Sequence, residues 1–454
     1  MNRKTLTALA TFVILGALAI VALTRPQKGE SAGGERQRGV PKLDPAQIDT
    51  LEVTKGTVTT VIKKEGAQYK VVKPVAYAAD EPAAKAAFEG LGKLEATDLV
   101  TEQPAKQAEF EVDAEKGLHL VAKKGDTVLA DFILGKSTGP GTMVRSSGKN
   151  EIWQATGITK YTFDKTSADW RDKSITTFTA ADAERIDVAA QDGSKIAVKK
   201  TGGKQGSEDK WEVVESSVKI DKLDDSVPNG IVSALASWKA NDFGDNQSAV
   251  SAGLEPPALT VTVSLKGGKK AVALLGLKKG EDEVYVKVPE SRQVFVAKKY
   301  NVERVNKRPI DFRDKTLCNI ADADLTEIAV THGDNSYTVA KSGSDWKATK
   351  PAKLELDSSK VTPIASAFKE WKGTGFAEDP SPKATGLVKP KAVISVKGKG
   401  ASCQVKVGDD TKDKLSYYVA TGKGPDVLVA PKWGVDRILV KVDDIKKAGA
   451  VAKK

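Results

Sequence analysis

The 454-residue chain is poor in the residues that carry most protein chemistry: two histidines, two cysteines and two methionines, with 6% aromatics. His119 and His332 stand far apart, each without a neighbouring His or Cys, so neither a metal cluster nor a locally readable Ser-His-Asp arrangement is expected. Each reads as a satisfied surface or edge histidine. No phosphate loop, dinucleotide fingerprint or Cys-x-x-Cys occurs. Gly135-Lys136-Ser137-Thr138 has the ending of a phosphate loop, but Ala130 stands where the upstream glycine belongs, so the segment reads as a strand passing into a turn. No catalytic residue, cofactor or metal is expected.

Arginine is also scarce. The net charge is +11, yet 59 of the 71 basic residues are lysine and 12 are arginine. Bidentate arginine contacts are the commonest device for reading guanine, so this balance argues against a nucleic-acid partner. Lysine pairs such as Lys63-Lys64, Lys199-Lys200 and Lys298-Lys299 fit solvated strand ends that discourage edge pairing. A second reading is attraction to anionic lipid or acidic envelope polymers.

Long apolar runs are absent with one exception. Residues 5–23 carry no charge, and nineteen residues at about 1.5 Å each span a hydrocarbon core of about 30 Å. The segment ends Val21-Ala22-Leu23-Thr24-Arg25 without a small-x-small cleavage pattern, which favours an uncleaved anchor. The expected organisation is a short cytoplasmic end (1–4), the anchor (5–23) and a flexible Gly-, Ser- and charge-rich tether (24–42). Basic residues after the anchor argue for retention inside, but long domains translocate largely regardless of such charge. A single-pass inner-membrane protein with its bulk in the periplasm is therefore expected.

What the chain has in abundance is repetition. Asp169-Trp170-Arg171-Asp172-Lys173 and Asp311-Phe312-Arg313-Asp314-Lys315 lie 142 residues apart. The register continues beyond them, so that Leu51, Ile186 and Ile328 correspond, as do Val53, Val188 and Val330, each in a strand-like apolar alternation. Tyr69-Lys70-Val71-Val72-Lys73-Pro74 matches Trp346-Lys347-Ala348-Thr349-Lys350-Pro351. In the middle copy Trp211 comes seven residues later, which places a lengthened hairpin tip near Thr201-Gly202. Helical stripes follow: Ala84, Ala87, Phe88, Leu91 and Leu94; Val227, Ile231, Leu235 and Trp238; Val361, Ile364, Phe368 and Trp371. Asp80, Asp225 and Asp357 are placed to start these helices.

Turns at Gly253-Leu254-Glu255-Pro256-Pro257 and Gly386-Leu387-Val388-Lys389-Pro390 match each other, with Phe110-Glu111-Val112-Asp113 in their place in the first copy. Short strands are expected over 118–122, 128–134 and 151–155, over 258–265, 271–275, 283–288 and 294–297, and over 392–396, 403–407, 415–420 and 427–430. Their short turns favour antiparallel pairing. The fold class is α+β: three tandem repeats of mainly antiparallel sheet with one or two helices each, preceded by one transmembrane helix. The repeats are placed at 43–175, 176–317 and 318–454. The seven tryptophans read as core anchors.

Cys318 and Cys403 both lie in the third repeat, where they either form one disulfide or act as two small buried hydrophobes. The pentapeptides close the first two repeats. Trp170 and Phe312 are expected to bury their rings, with Arg171, Asp172, Arg313 and Asp314 pairing or bonding free backbone at the hand-over. The alternative is a recognition patch shown once per junction. The third repeat lacks a closing Arg-Asp-Lys and ends at Lys432-Trp433-Gly434-Val435-Asp436-Arg437.

The apolar N-terminal run, the Ile-x-Val openings, the aromatic-Lys-x-x-Lys-Pro strands, the Gly-Leu-x-x-Pro turns and the Arg-Asp-Lys junctions together resemble bacterial domain-of-unknown-function family 4340. The resemblance implies a membrane-anchored envelope protein, often encoded beside an ABC-type exporter linked to gliding motility. It carries over no catalytic residue. The expected function is a non-enzymatic extracytoplasmic binding or scaffold subunit accompanying an ABC-type transport or gliding-motility-related complex, with an ABC permease as partner. The alternatives are an envelope hydrolase or cell-wall polymer-binding protein with a carboxylate site, and a cytoplasm-facing scaffold. The sequence names no small-molecule ligand.

Overall fold

The computed structural model describes residues 39–139, 141–202, 210–422 and 424–447. The anchor at 5–23 and most of the tether lie outside the described residues, as does the tip of the lengthened middle hairpin. Among the described residues no helix is long and apolar enough to cross a membrane.

The chain divides into two compact units, Met1–Asp172 and Lys173–Lys454. The first holds one large sheet and the second holds two. In the first unit the strand order is Tyr77–Ala78, Gln68–Lys73, Val58–Glu65, Thr50–Lys55, Leu118–Lys124, Thr127–Thr138, Gly141–Ser146, Ile152–Thr156 and Glu95–Thr101. Every pairing is antiparallel. One meander precedes the helix Glu81–Lys93; the helix leads to the far edge strand Glu95–Thr101, and the chain then returns to the sheet's centre at Leu118–Lys124, where the second meander starts.

The second unit uses this order twice, without a counterpart of the strand Tyr77–Ala78. Its first large sheet runs Lys210–Ser216, Lys195–Thr201, Ala183–Ala190, Leu259–Leu265, Lys270–Lys279, Glu283–Lys287, Phe295–Lys298 and Asp242–Phe243. The other runs Asp345–Lys350, Tyr337–Ser342, Leu325–Thr331, Ala392–Gly398, Ala401–Asp410, Ser416–Ala420, Leu428–Pro431 and Gly375–Phe376.

The fold is therefore α+β, with three large antiparallel sheets each carrying helices. The repeated alternation sets the register at each centre. Leu51 faces Ala122 and Val53 faces Leu120; Ile186 faces Val263 and Val188 faces Val261; Ile328 faces Val396 and Val330 faces Ile394. All twelve side chains are buried. A slip of one residue would turn each set to the opposite face.

The helices lie where expected, at Glu81–Lys93, Ser226–Ala236 and Ser358–Ser366, with two differences. The second and third end sooner than their apolar stripes suggest. Trp238 falls on the short strand Ser237–Lys239, which pairs with Ser174–Thr177, and Trp371 on Trp371–Lys372, which pairs with Thr316–Cys318. Ser237, at φ −148°, takes the chain out of the helix, and the rings stay buried from a strand instead.

The start of the middle helix also differs. Asp80 and Asp357 accept the N–H groups of Ala83 and Ser359, as N-caps do. Asp225 instead accepts the Trp211 N–H, and the free N–H of Ser226 goes to Asp224.

The turns that follow rest on a glycine of the sheet. Gly253 and Gly386 have positive φ, and Glu111 takes the same left-handed conformation in the first repeat. Beneath these turns lie Gly135, Gly276 and Gly408, each at a register shift in a long strand. A Cβ there would sit 2.1, 2.3 and 2.1 Å from the carbonyl oxygens of Phe110, Ala252 and Thr385. Gly135-Lys136-Ser137-Thr138 is thus the bulged last stretch of its strand, which passes into a turn at 139 as expected. Gly408→Ala is expected to cost about 1–3 kcal/mol in urea unfolding. Gly375→Ala, where a Cβ meets nothing within 4 Å, is the control and leaves the midpoint nearly unchanged.

In the first repeat the same loop covers the sheet's second face. Phe110 and Val112 pack on Ile133, Met143 and Ile152, while Arg145 donates from Nε to the Val112 carbonyl at 2.9 Å. Residues 142–145 are consequently all buried. Two covered faces erase the alternation that would have marked Gly141–Ser146 as a strand.

Candidate functional site

The pentapeptides lie where each repeat returns to the foot of its own helix. Asp80 N–H donates to the Trp170 carbonyl and Asp172 N–H to the Ala78 carbonyl, both at 2.9 Å. In the second unit Asp224 N–H donates to the Phe312 carbonyl and Asp314 N–H to the Lys222 carbonyl, both at 2.8 Å. The pattern occurs a third time: Asp357 N–H to the Ile445 carbonyl and Lys447 N–H to the Glu355 carbonyl, both at 2.9 Å.

The third repeat therefore closes at Asp444-Ile445-Lys446-Lys447 and not at 432–437. Because the closure is made by backbone atoms, the side chains there are free to drift, and only the buried plug persists. Trp170 and Phe312 are fully buried and Ile445 nearly so.

Side chains of the motif have different tasks in its two copies. In the first, Asp169 accepts from the Thr166 hydroxyl at 2.7 Å, and Arg171 is buried with its guanidinium 4.9 Å from the Tyr77 ring centre. Lys173 lies across the unit boundary, where its carbonyl accepts the Ala240 N–H.

In the second copy the charges surround a cavity of about 280 Å3, lined by Asp221, Lys222, Arg313, Asp314, Asp426 and Leu428 among others. Arg313 donates from Nη1 to Asp426 at 2.5 Å and from Nε to the Lys219 carbonyl at 2.7 Å. Lys222 pairs with Asp314 at 2.5 Å. Burial pushes the Asp314 carboxyl up, but its bonds from Lys222 and Thr316 outweigh this and hold it below the usual carboxylate range.

Behind the cavity wall lies a buried charge cluster. Asp311 accepts the Arg308 N–H at 2.8 Å, and its backbone carbonyl accepts from the Lys315 ammonium. Lys315 is 3.8 Å from Asp224, and Lys372 approaches Asp224 at 3.7 Å from the solvent side. Burial lowers the Lys315 pKa despite Asp224 and Asp311. Cys318, three residues on, is disulfide-bonded to Cys403.

One cluster has no trace in the linear sequence. His119, Asp131 and Ser147 come from three successive strand regions of the first unit and meet on one face. His119 Nε2 lies 2.7 Å from Asp131 Oδ1 and 3.3 Å from Ser147 Oγ, and Ser147 also donates to Asp131. A cavity of about 170 Å3 adjoins it.

This is not a nucleophile triad. Carboxylate and hydroxyl share one ring nitrogen, whereas a triad places them on opposite nitrogens, and the serine proton goes to the carboxylate. Among the described residues no group of three metal-ligating side chains is placed to hold an ion.

Burial acts to raise the Asp131 pKa, but bonds from Ser147 and His119 win and lower it. A depressed carboxylate gives stability that is present above its unfolded pKa and lost as pH falls through the folded one. Asp131→Asn is expected to lower the neutral-pH urea midpoint of the first unit by an amount worth less than about 1 kcal/mol, the group being well exposed. The difference from the parent should vanish near pH 2, and its persistence there would sink this account.

His332 stands apart from this cluster. It lies at a strand end, half-buried, and its Nδ1 is buried without a hydrogen-bond partner among the described residues. The tryptophans divide as well: Trp433 is 72% exposed, while Trp170, Trp211, Trp238, Trp346 and Trp371 are buried.

Fold and junctions together define a protein of repeated sheet units, each closed on itself by main-chain hydrogen bonds. The chain belongs to the family described as a domain of unknown function, DUF4340, which matches residues 70–257 and again 222–390. No curated protein matches it. Among solved structures, the chain has a slight similarity to a DNA polymerase sliding clamp from Pseudomonas aeruginosa: 9% identity, 85% of this chain and 92% of the clamp covered, TM-score 0.12. The DNA polymerase III subunit beta from Borrelia burgdorferi gives 6% identity, coverage of 86% and 92%, and TM-score 0.13. Likenesses this slight carry no argument about fold or function.

Proposed function

We propose that the chain is a non-enzymatic, membrane-anchored extracytoplasmic binding or scaffold protein, an accessory to an ABC-type transport or gliding-motility-related complex. The observation that carries this reading is the use of the junction charges. Arg313, Asp314 and Asp426 are engaged in ion pairs and backbone bonds that build the repeats. The Cys318–Cys403 bond suits an oxidising compartment such as the periplasm, and the apolar 5–23 run supplies an anchor.

The test is purification of the full chain from gently solubilised membranes. Co-purification of an ABC permease supports the proposal, and recovery of a lone monomer sinks it. Protease protection on spheroplasts separates a periplasmic from a cytoplasm-facing scaffold.

A second reading, an envelope hydrolase or polymer-binding protein, draws on three carboxylates, Asp221, Asp314 and Asp426, lining the junction cavity. A glycosidase acid has its pKa raised, whereas that of Asp314 is lowered. Loss of envelope-polymer cleavage in Asp314→Asn and Asp426→Asn, with unchanged melting, would favour the hydrolase.

A further inference from the structure

Three aromatic side chains stand out as exposed among the large hydrophobic residues described: Tyr161 at 81%, Tyr300 at 66% and Trp433 at 72%. They occupy one position of the repeat. In each case a helix follows the last long strand of the sheet and opens Lys-aromatic: Lys160–Phe163, Lys299–Val305 and Lys432–Asp436. Two residues after each ring comes a buried side chain, Phe163, Val302 or Val435.

At about 100° per residue, positions two apart face nearly opposite ways, so anchoring the second residue turns the ring to solvent. The fold thus requires only that this position be exposed. A lysine or serine would serve it equally well, and an aromatic residue stands there three times in a chain with few aromatics.

Each ring has a cation in its neighbourhood, although Lys298 and Lys299 are paired with Glu283 and Glu303 and Lys432 with Asp410. Lys165 lies 5.1 Å from the Tyr161 ring centre and Arg437 5.9 Å from that of Trp433, while Lys298 and Lys299 precede Tyr300. In the third repeat Lys432 N–H bonds the carbonyl of Leu415, which brings an apolar side chain 70% exposed to the same helix start.

We propose that these rings are contacts with an anionic membrane surface, the aromatic side chain entering the headgroup layer and the neighbouring cations meeting lipid phosphates. A bilayer fits better than a protein partner. Single ring-and-cation contacts add up on a fluid charged surface, whereas a stable protein interface needs a continuous patch of about 800 Å2 on each side. The charge-free 5–23 run would already hold the chain beside such a surface, so the inference rests on the membrane-anchored part of the proposed function.

The test uses the full chain reconstituted in vesicles of phosphatidylglycerol or phosphatidylcholine, some carrying brominated acyl chains. The fluorescence that disappears in Trp433→Phe is the signal. Bromolipid is expected to quench that component in phosphatidylglycerol vesicles. The quenching should be lost in phosphatidylcholine, and lost when salt rises from about 0.1 to 1 M and the screening length falls from about 10 to 3 Å.

Tyr300→Ser, which lies in the same unit and leaves Trp433 as reporter, should weaken the quenching without changing the melting temperature. If the chain floats with vesicles but the Trp433 component is not quenched, the ring contacts are overturned and the anchor stands. Protection of Trp433 from aqueous iodide only on adding membrane-protein extract would overturn them in favour of a protein partner. A chain that floats with neither vesicle type refutes both.

Discussion

Reduction of the Cys318–Cys403 bond is expected to lower the stability of the second unit by about 4–5 kcal/mol. The cysteines are 85 residues apart, and cross-linking a loop of that length removes denatured-chain entropy worth about this much. Cys318 lies on the strand paired with Trp371, Cys403 on a central strand of the third sheet, and both are buried. For a unit of this size the change corresponds to roughly 10 °C in melting temperature. Calorimetry of the full chain with and without reductant measures it. The first unit has no cysteine among its residues and supplies an internal control. A second-unit transition indifferent to reductant, or two free thiols titrated in the unfolded unreduced chain, would refute the expectation.

Asp224→Ala is expected to destabilise the same unit by about 3–5 kcal/mol, because it strands the buried Lys315 ammonium without its nearest carboxylate. The substitution also removes the acceptor for the N–H and hydroxyl of Ser226 at the helix start. Lys372 is half-exposed and 3.7 Å from the same carboxylate, so water replaces its partner at little cost. Two further measurements separate the charge from the cap.

Adding Lys315→Met to Asp224→Ala should recover the larger part of the loss, since the stranded charge is gone. The loss should also shrink at alkaline pH. Burial lowers the Lys315 pKa, so as pH rises past its folded value the native state gives up the proton while the unfolded state still holds it, and stability rises. A loss that is independent of pH and untouched by Lys315→Met would show that only the helix cap matters.

The central strands were legible in the chain because burial on one face leaves a period of two, as at Leu51-Glu52-Val53 and Ile328-Ala329-Val330. Legibility failed where a second force acted. Gly141–Ser146 lost its alternation to a loop that covers its outer face. Trp238 and Trp371 kept a helical spacing after the helix had ended, because a short strand buried them equally well. His119, Asp131 and Ser147 meet through cross-strand register, which no local pattern encodes. The closing segment at Ile445 carries no side-chain signature because its hydrogen bonds belong to the backbone. The exposed rings were visible as aromatic residues, but only the buried neighbour two positions on shows which way they face.

That closure also bears on how such a chain could grow or shrink. Each repeat ends at the foot of its own helix, held by a reciprocal pair of main-chain bonds that ask nothing of the next repeat's side chains. A gene copying error that adds or removes one whole repeat leaves every such pair intact. A whole-repeat change in the second unit costs the Arg313–Asp426 and Lys372–Asp224 pairs made from one repeat to the next, whereas a cut inside a sheet opens an unpaired edge as well.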